Sequence, residues 1–108
     1  MPEVGAVDAD RLHVIEARNA VTDLIHRYAQ LVRYDRGEET ADLYVPDGAF
    51  EVRRGSPDKP DFTVQSRIEG REAIRAFLLP GKGKPHPVPL VCNILVDVDG
   101  DMASATCV

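Results

Sequence analysis

The stretch from Val14 to Gly37, VIEARNAVTDLIHRYAQLVRYDRG, constrains the fold more than any other part of the chain, because it reads as one long amphipathic helix. Advancing about 100° per residue places Val14, Ala17, Val21, Leu24, Ile25, Tyr28, Leu31 and Val32 on one face. Asp35 continues that phase, seven residues after Tyr28 and three after Val32. A carboxylate is thereby expected where the helix otherwise presents apolar groups and one phenol, an expensive place for an anion. Gly37 is a natural helix stop, so Asp35 falls in the last turn, where the helix dipole also disfavours negative charge. A carboxyl group so placed beside an apolar cavity suits general acid or base chemistry near neutral pH. The pattern leaves a second placement open: the helix frays before Asp35, and the side chain turns into water or caps the next turn.

A chain of 108 residues holds one core with little surplus, so a single domain over residues 1–108 is expected, with residues 1–9 as a flexible N-terminus. Lys and Arg total 13 against 18 Asp and Glu, a formal net charge of -5, and no stretch concentrates basic residues with aromatics. That balance argues against nucleic acid and anionic membrane as partners. No apolar run approaches the roughly 18 residues of a transmembrane helix, and the opening MPEVGAVDAD is acidic, unlike a secretion signal. A cytoplasmic protein is the expectation.

After the first helix, EETADLYV carries Leu43, Tyr44 and Val45 on a short second helix that Pro46-Asp47-Gly48 ends. AFEVRR and FTVQSRI alternate as two strands of a hairpin around the polar turn GSPDKPD. EGREAIRAFLLP places Ala73, Ile74, Phe77 and Leu78 on one face of a third helix, and the stiff loop GKGKPHPVP follows as a lid or strand lead-in. LVCNILVDVDGDMASATCV is the longest strand pair. With Asp99-Gly100 as a two-residue turn, Cys92 falls opposite Cys107 in a hydrogen-bonded pair, a geometry that suits a disulfide poorly. Both cysteines are expected to be reduced, buried small hydrophobes. Neither face of this ribbon suits water, so helices are expected on one side and a second subunit on the other.

Helix, short helix, hairpin, helix and long hairpin make an α+β order. In that order RYAQLVRYDRGEETADLYVPDGAFEV, IEGREAIRAFL and CNILVDVDGDMASA resemble the nuclear-transport-factor-2-like superfamily, in particular its SnoaL-like branch. The resemblance implies a cone-like bent antiparallel sheet with three helices packed on its concave side, a mostly apolar pocket, and an outer sheet face that often forms a homodimer. Members usually continue with another pair of long strands. The chain therefore apparently lacks the family's C-terminal strands, as a truncated product or with its open edge covered by another chain.

The same resemblance supplies the site. Tyr34-Asp35 resembles the Tyr-Asp pair of scytalone dehydratase, Asp35 matches the catalytic aspartate of lindane dehydrochlorinase, and Tyr28 matches the oxyanion-donor tyrosine of ketosteroid isomerase. It favours an inward Asp35. Two departures stand against it: Val52 occupies the place of ketosteroid isomerase's base, and Pro89, four residues before Asn93, that of the dehydratase histidine. His86, three residues earlier, enters the pocket if the proline-rich loop bulges and is otherwise solvent-exposed.

The implied activity is a cofactor-independent lyase or isomerase, dehydratase-like or cyclase-like, acting on a small, largely apolar carbonyl or hydroxyl compound. Asp35 would move the proton, Tyr34 and Tyr28 would bond the oxygen on which charge develops, and His86 completes the catalytic candidates. Asn93 and Thr106 would orient the substrate, with Tyr44, Phe50, Val52 and Leu95 in the pocket wall. No cluster of His, Cys and carboxylates has metal spacing, and no cofactor is expected. The alternative is a non-catalytic ligand-binding or dimerisation module of the same fold, in which Asp35 is structural.

Overall fold

Proline lacks a backbone N–H and is best tolerated in the first turn of a helix, and the first helix here begins on one. The computed structural model describes residues 2–55, 63–79 and 88–108, with side chains in that helix from residue 9 onward. In order, the elements are α1 (Pro2–Arg33), α2 (Gly37–Ala41), β1 (Ala49–Arg54), β2 (Thr63–Glu69), α3 (Arg71–Leu78), β3 (Leu95–Asp99) and β4 (Met102–Thr106). Three helices and two antiparallel ribbons are the α+β content expected. The chain divides into two units, Met1–Gln30 with Val88–Val108, and Leu31–Pro87.

In the first unit α1 starts well before the expected Val14. Ala17, Val21, Ile25 and Tyr28 of the apolar stripe are half-buried, while Val14 and Leu24 are exposed. Arg18 ties the helix to β3 by donating from Nε and a terminal nitrogen to the carbonyl of Val96, at 3.4 and 3.3 Å. Val96 itself is 8% exposed.

The β3–β4 ribbon pairs Leu95 with Thr106, Val96 with Ala105, Asp97 with Ser104, Val98 with Ala103 and Asp99 with Met102. Its turn is therefore Gly100-Asp101, not Asp99-Gly100. Gly100 takes φ 59° at the first central position, where a tight hairpin turn favours glycine. Moving the register by two residues keeps the side chains of β3 and β4 on their expected faces.

The register changes again beyond Leu95. Cys92 exchanges both backbone bonds with Val108, N–H to carbonyl at 2.6 Å and the reverse at 2.8 Å. Asn93 and Ile94 thus face Cys107 alone, a β-bulge, with Asn93 at φ 53°. Two expectations are corrected: Cys92 stands opposite Val108 rather than Cys107, and both cysteines are exposed free thiols. The changed pairing has two causes: the later turn shifts the register by two residues, and the one extra residue at the bulge takes it back by one.

In the second unit the core is Ile74, Ala41 and Thr40, all buried. Phe50 of β1 stacks obliquely on Phe77 of α3, centroids 6.1 Å apart at 31°. Across the β1–β2 ribbon Phe50 pairs with Ile68 and Val52 with Ser66, then Arg53 with Val64, so Gln65 is an extra residue. The bulge sets Val64 opposite Arg53, against the simple alternation expected there. The charged residues of this ribbon form a ladder: Arg53 and Arg67 meet the same Glu51 oxygen at 3.1 and 2.9 Å, and Arg67 also meets Glu69 at 2.7 Å.

The second helix is shorter than expected and ends before Leu43. Val45 is 62% exposed. Beyond Ala41 the N–H groups of Leu43 and Tyr44 donate three residues back, to the carbonyls of Thr40 and Ala41, so the helix passes into tighter turns, and Pro46 disfavours helical backbone at Val45. Arg75 clamps α3 to α2, bonding Asp42 at 2.7 Å, Glu72 at 3.2 Å and the carbonyl of Glu38 at 3.1 Å. The approach is close at Gly37, where a Cβ would lie 3.2 Å from that of Leu78. Phe62 and the loop over residues 80–87 lie outside the described residues.

Candidate functional site

The helix that should have carried Asp35 round to its apolar face stops two residues short of it. Arg33 is the last residue of α1, and Asp35 takes φ 60°. Its N–H donates to the carbonyl of Val32 at 3.1 Å, and the N–H of Arg36 donates to that of Leu31 at 2.8 Å. These are the two bonds of a Schellman closure, which satisfies carbonyls that the helix end leaves without partners. Glycine is the usual left-handed residue in this motif, and aspartate is among the few others that tolerate it. The expected stop signal, Gly37, instead opens α2. Helical phase therefore does not set the direction of Asp35; a left-handed cap does.

Asp35 is half-buried in the wall of a cavity of about 540 Å³, lined also by Tyr34, Arg36, Gly37, Glu38, Glu39, Leu78 and Leu79. That volume lies within the range of small-molecule sites. The lining is mixed, two leucines against several charged groups. Arg36 is bound to Glu39 at 2.8 Å, and that hydrogen bond, with the Glu39 charge, raises the guanidinium pKa further. Tyr34 is exposed, its ring under the Arg33 guanidinium at 5.9 Å. A carboxyl group and a phenol adjacent in sequence can move a proton and donate to a nearby oxygen.

The other expected residues divide between the two units. Tyr44, Phe50 and Val52 belong to the same unit as Asp35, with Tyr44 and Phe50 half-buried and Val52 exposed. The carbonyl of Tyr44 accepts a 2.7 Å bond from Arg71, and Phe50 is committed to Phe77. Tyr28, Asn93, Leu95 and Thr106 belong to the other unit, where Tyr28 is half-buried and Leu95, Asn93 and Thr106 are exposed. His86 lies outside the described residues. Among the described residues, no group of three or more His, Cys, Asp or Glu could hold a metal ion, and no helix is long and apolar enough to cross a membrane.

The SnoaL-like domain family matches residues 13–108, nearly the whole chain. The chain belongs to the SnoaL-like domain family. A crystal structure of an NTF2-like protein with a cystatin-like fold from Novosphingobium aromaticivorans is similar to this SnoaL-like chain, with 28% sequence identity and a TM-score of 0.62. The match covers 92% of this chain and 60% of that one, so the chain spans less than two thirds of that protein's length. Comparison with curated proteins gives no match. The family and the NTF2-like fold are thus those that the residue patterns resembled, and the family includes cyclases, dehydratases and isomerases.

Two residues of the cavity wall in this SnoaL-like chain were missed in the sequence. Leu78 and Leu79 supply the apolar part of the cavity wall, and the pattern Leu78-Leu79-Pro80 gave the signal, an apolar helix end before a stop. Thr40, outside that wall, is buried, and a single threonine in a polar run carries no periodicity that would mark it so.

Proposed function

We propose a cofactor-independent acid–base function of the dehydratase, cyclase or isomerase kind, acting on a small and largely apolar carbonyl or hydroxyl compound. Asp35 is the proton-moving group. The observation that carries this reading is the left-handed Asp35 in a cavity wall, an acid held where glycine would cost less. The carboxylate takes a proton from carbon next to a carbonyl, the electron pair moves onto oxygen, and the Tyr34 hydroxyl donates to that oxygen. Return of the proton to another carbon completes an isomerisation. Its delivery to a β-hydroxyl, which leaves as water, completes a dehydration.

Tyr28, Asn93, Thr106, Tyr44, Phe50, Val52, Leu95 and His86 enter this reading through the family resemblance, and each is open to test by its own substitution. The test is an NMR titration of the labelled protein with cyclic ketones and alcohols of a few carbons. Shifts concentrated at residues 34–39 and at Leu78 and Leu79 are expected. Binding that leaves those amides unmoved contradicts the assignment.

A specific observation favours a second reading, that of a dimerising module. Leu95 and Met102 are 71% and 73% exposed and share a face of the β3–β4 ribbon. A second copy on that face would take them out of water. Sedimentation of the wild type and of Leu95→Lys distinguishes the cases: a dimer that the substitution dissociates supports this reading, and a wild-type monomer refutes it.

A further inference from the structure

Two successive residues between α1 and α2 have non-helical backbone, Asp35 at φ 60° and Arg36 at φ −98°, ψ 67°. Upstream, the Schellman bonds hold their N–H groups. Downstream, the carbonyl of Arg36 accepts twice from one residue: from the Thr40 N–H at 2.9 Å and from the Thr40 hydroxyl at 2.7 Å. Thr40 is 1% exposed and is the one buried polar side chain among the described residues. Resting on the acid–base reading of Asp35, we infer that Thr40 is a positioning residue, whose buried hydroxyl fixes the Arg36 carbonyl and with it the direction of the Asp35 carboxyl group.

Threonine hydroxyls often bond the carbonyl four residues back inside a helix, with no role beyond that helix. The position is different here. Arg36 is the N-cap of α2, not an interior residue, and it makes no side-chain capping bond among the described residues. The residues best suited to cap a helix are Ser, Thr, Asp and Asn, so an arginine there leaves the linker short of local support. The hydroxyl does not replace that cap, which would accept from N–H groups; it holds the carbonyl of the linker residue itself, from a buried side chain. Gly37, packed against Leu78, limits movement of α2 toward α3, so a swing of the Asp35–Arg36 pair is resisted from both ends.

Amide hydrogen exchange in Thr40→Val and Thr40→Ser tests this. The valine keeps the shape and the N–H bond but loses the hydroxyl. Exchange at Asp35 and Arg36 is expected to quicken roughly five- to tenfold, the loss of one hydrogen bond. The Ile74 amide, bonded to the Gly70 carbonyl at 3.0 Å, is the internal reference and should not change. Serine should restore the wild-type rates. Unchanged exchange at both linker amides, an equal change at Ile74, or no rescue by serine overturns the inference. Should the valine variant not fold, the wild type decides: a slowly exchanging Thr40 hydroxyl proton supports the inference, and one that exchanges as fast as a free hydroxyl overturns it. Failure of the acid–base reading shows elsewhere, as unaltered proton-transfer chemistry in Asp35→Asn, so the two failures are distinguishable.

Discussion

The amide of Asp35 donates to the carbonyl of Val32 at 3.1 Å, closing α1 through a left-handed aspartate. Glycine populates that conformation at no steric cost, whereas an L-residue is strained there by about 1–2 kcal/mol, less for aspartate than for most. Asp35→Gly is therefore expected to stabilise the protein by about 0.5–1 kcal/mol in urea unfolding while abolishing any proton transfer. A stability gain coupled to lost chemistry is the mark of a residue kept for function. Loss of stability in the glycine variant would mean that the carboxylate's own contacts hold the linker.

The bulge at Asn93 makes a prediction about the thiols. Adjacent residues of a strand point to opposite faces, so Cys92, paired with Val108, and Cys107, next to it, present their sulfurs on opposite sides of the ribbon. Titration of the native protein with an aromatic disulfide should find both reactive, and mild oxidation should leave the monomer without an internal bridge. An intrachain disulfide, seen as a loss of two mass units, would show that the register is wrong.

Acid should loosen the β1–β2 ribbon before it unfolds the rest. The hydrogen bond from Arg53 foremost, with the charges of Arg53 and Arg67, holds the Glu51 carboxyl below the usual carboxylate range. A carboxylate whose pKa is lower folded than unfolded adds stability above the unfolded value, 4.5, and loses it as pH falls through the folded value. Amide protection across Phe50–Val52 and Ser66–Ile68, relative to the unstructured rate at each pH, should therefore fall from about pH 4.5 downward, and Glu51→Gln should flatten that dependence. An unchanged pH profile in the glutamine variant would remove Glu51 as the cause.

Filling of the second unit's core rests on few side chains. Ile74 is buried on α3, the helix that packs on α2 and on both strands of the β1–β2 ribbon, and Ile74→Ala is expected to cost about 2–5 kcal/mol in urea unfolding. Phe77, more than half exposed despite its contact with Phe50, should cost less when cut to alanine. The reverse order would place the core elsewhere.

Element types and faces were legible because periodicity is a local property. Ile74 was placed inward by its helical phase, and Val96 and Val98 fell on one face with Ala103 and Ala105 even though the turn lay one residue later than expected. What periodicity does not carry is the isolated left-handed residue. Among the described residues, the two non-glycine residues with positive φ are Asp35 and Asn93, and each displaced an expectation that assumed regular backbone. At Asp35 the helix ended two residues early; at Asn93 a bulge, added to the later turn, set Cys92 against Val108. Both had been named as candidate site residues on other grounds, and strained backbone concentrates at functional sites. Thr40 was invisible for a different reason, since its burial follows from the packing of α2 on α3 and not from its neighbours in sequence.

The central claim is tested most directly by proton exchange at carbon. Cyclic ketones and β-hydroxy ketones are incubated in deuterated water with wild type and with Asp35→Asn, and loss of the α-proton signal is followed by NMR, with circular dichroism confirming that both are folded. Wild type is expected to accelerate exchange of at least one class, and Asp35→Asn to fall to the uncatalysed rate. Equal rates for the two proteins would mean that Asp35 caps a helix and moves no proton.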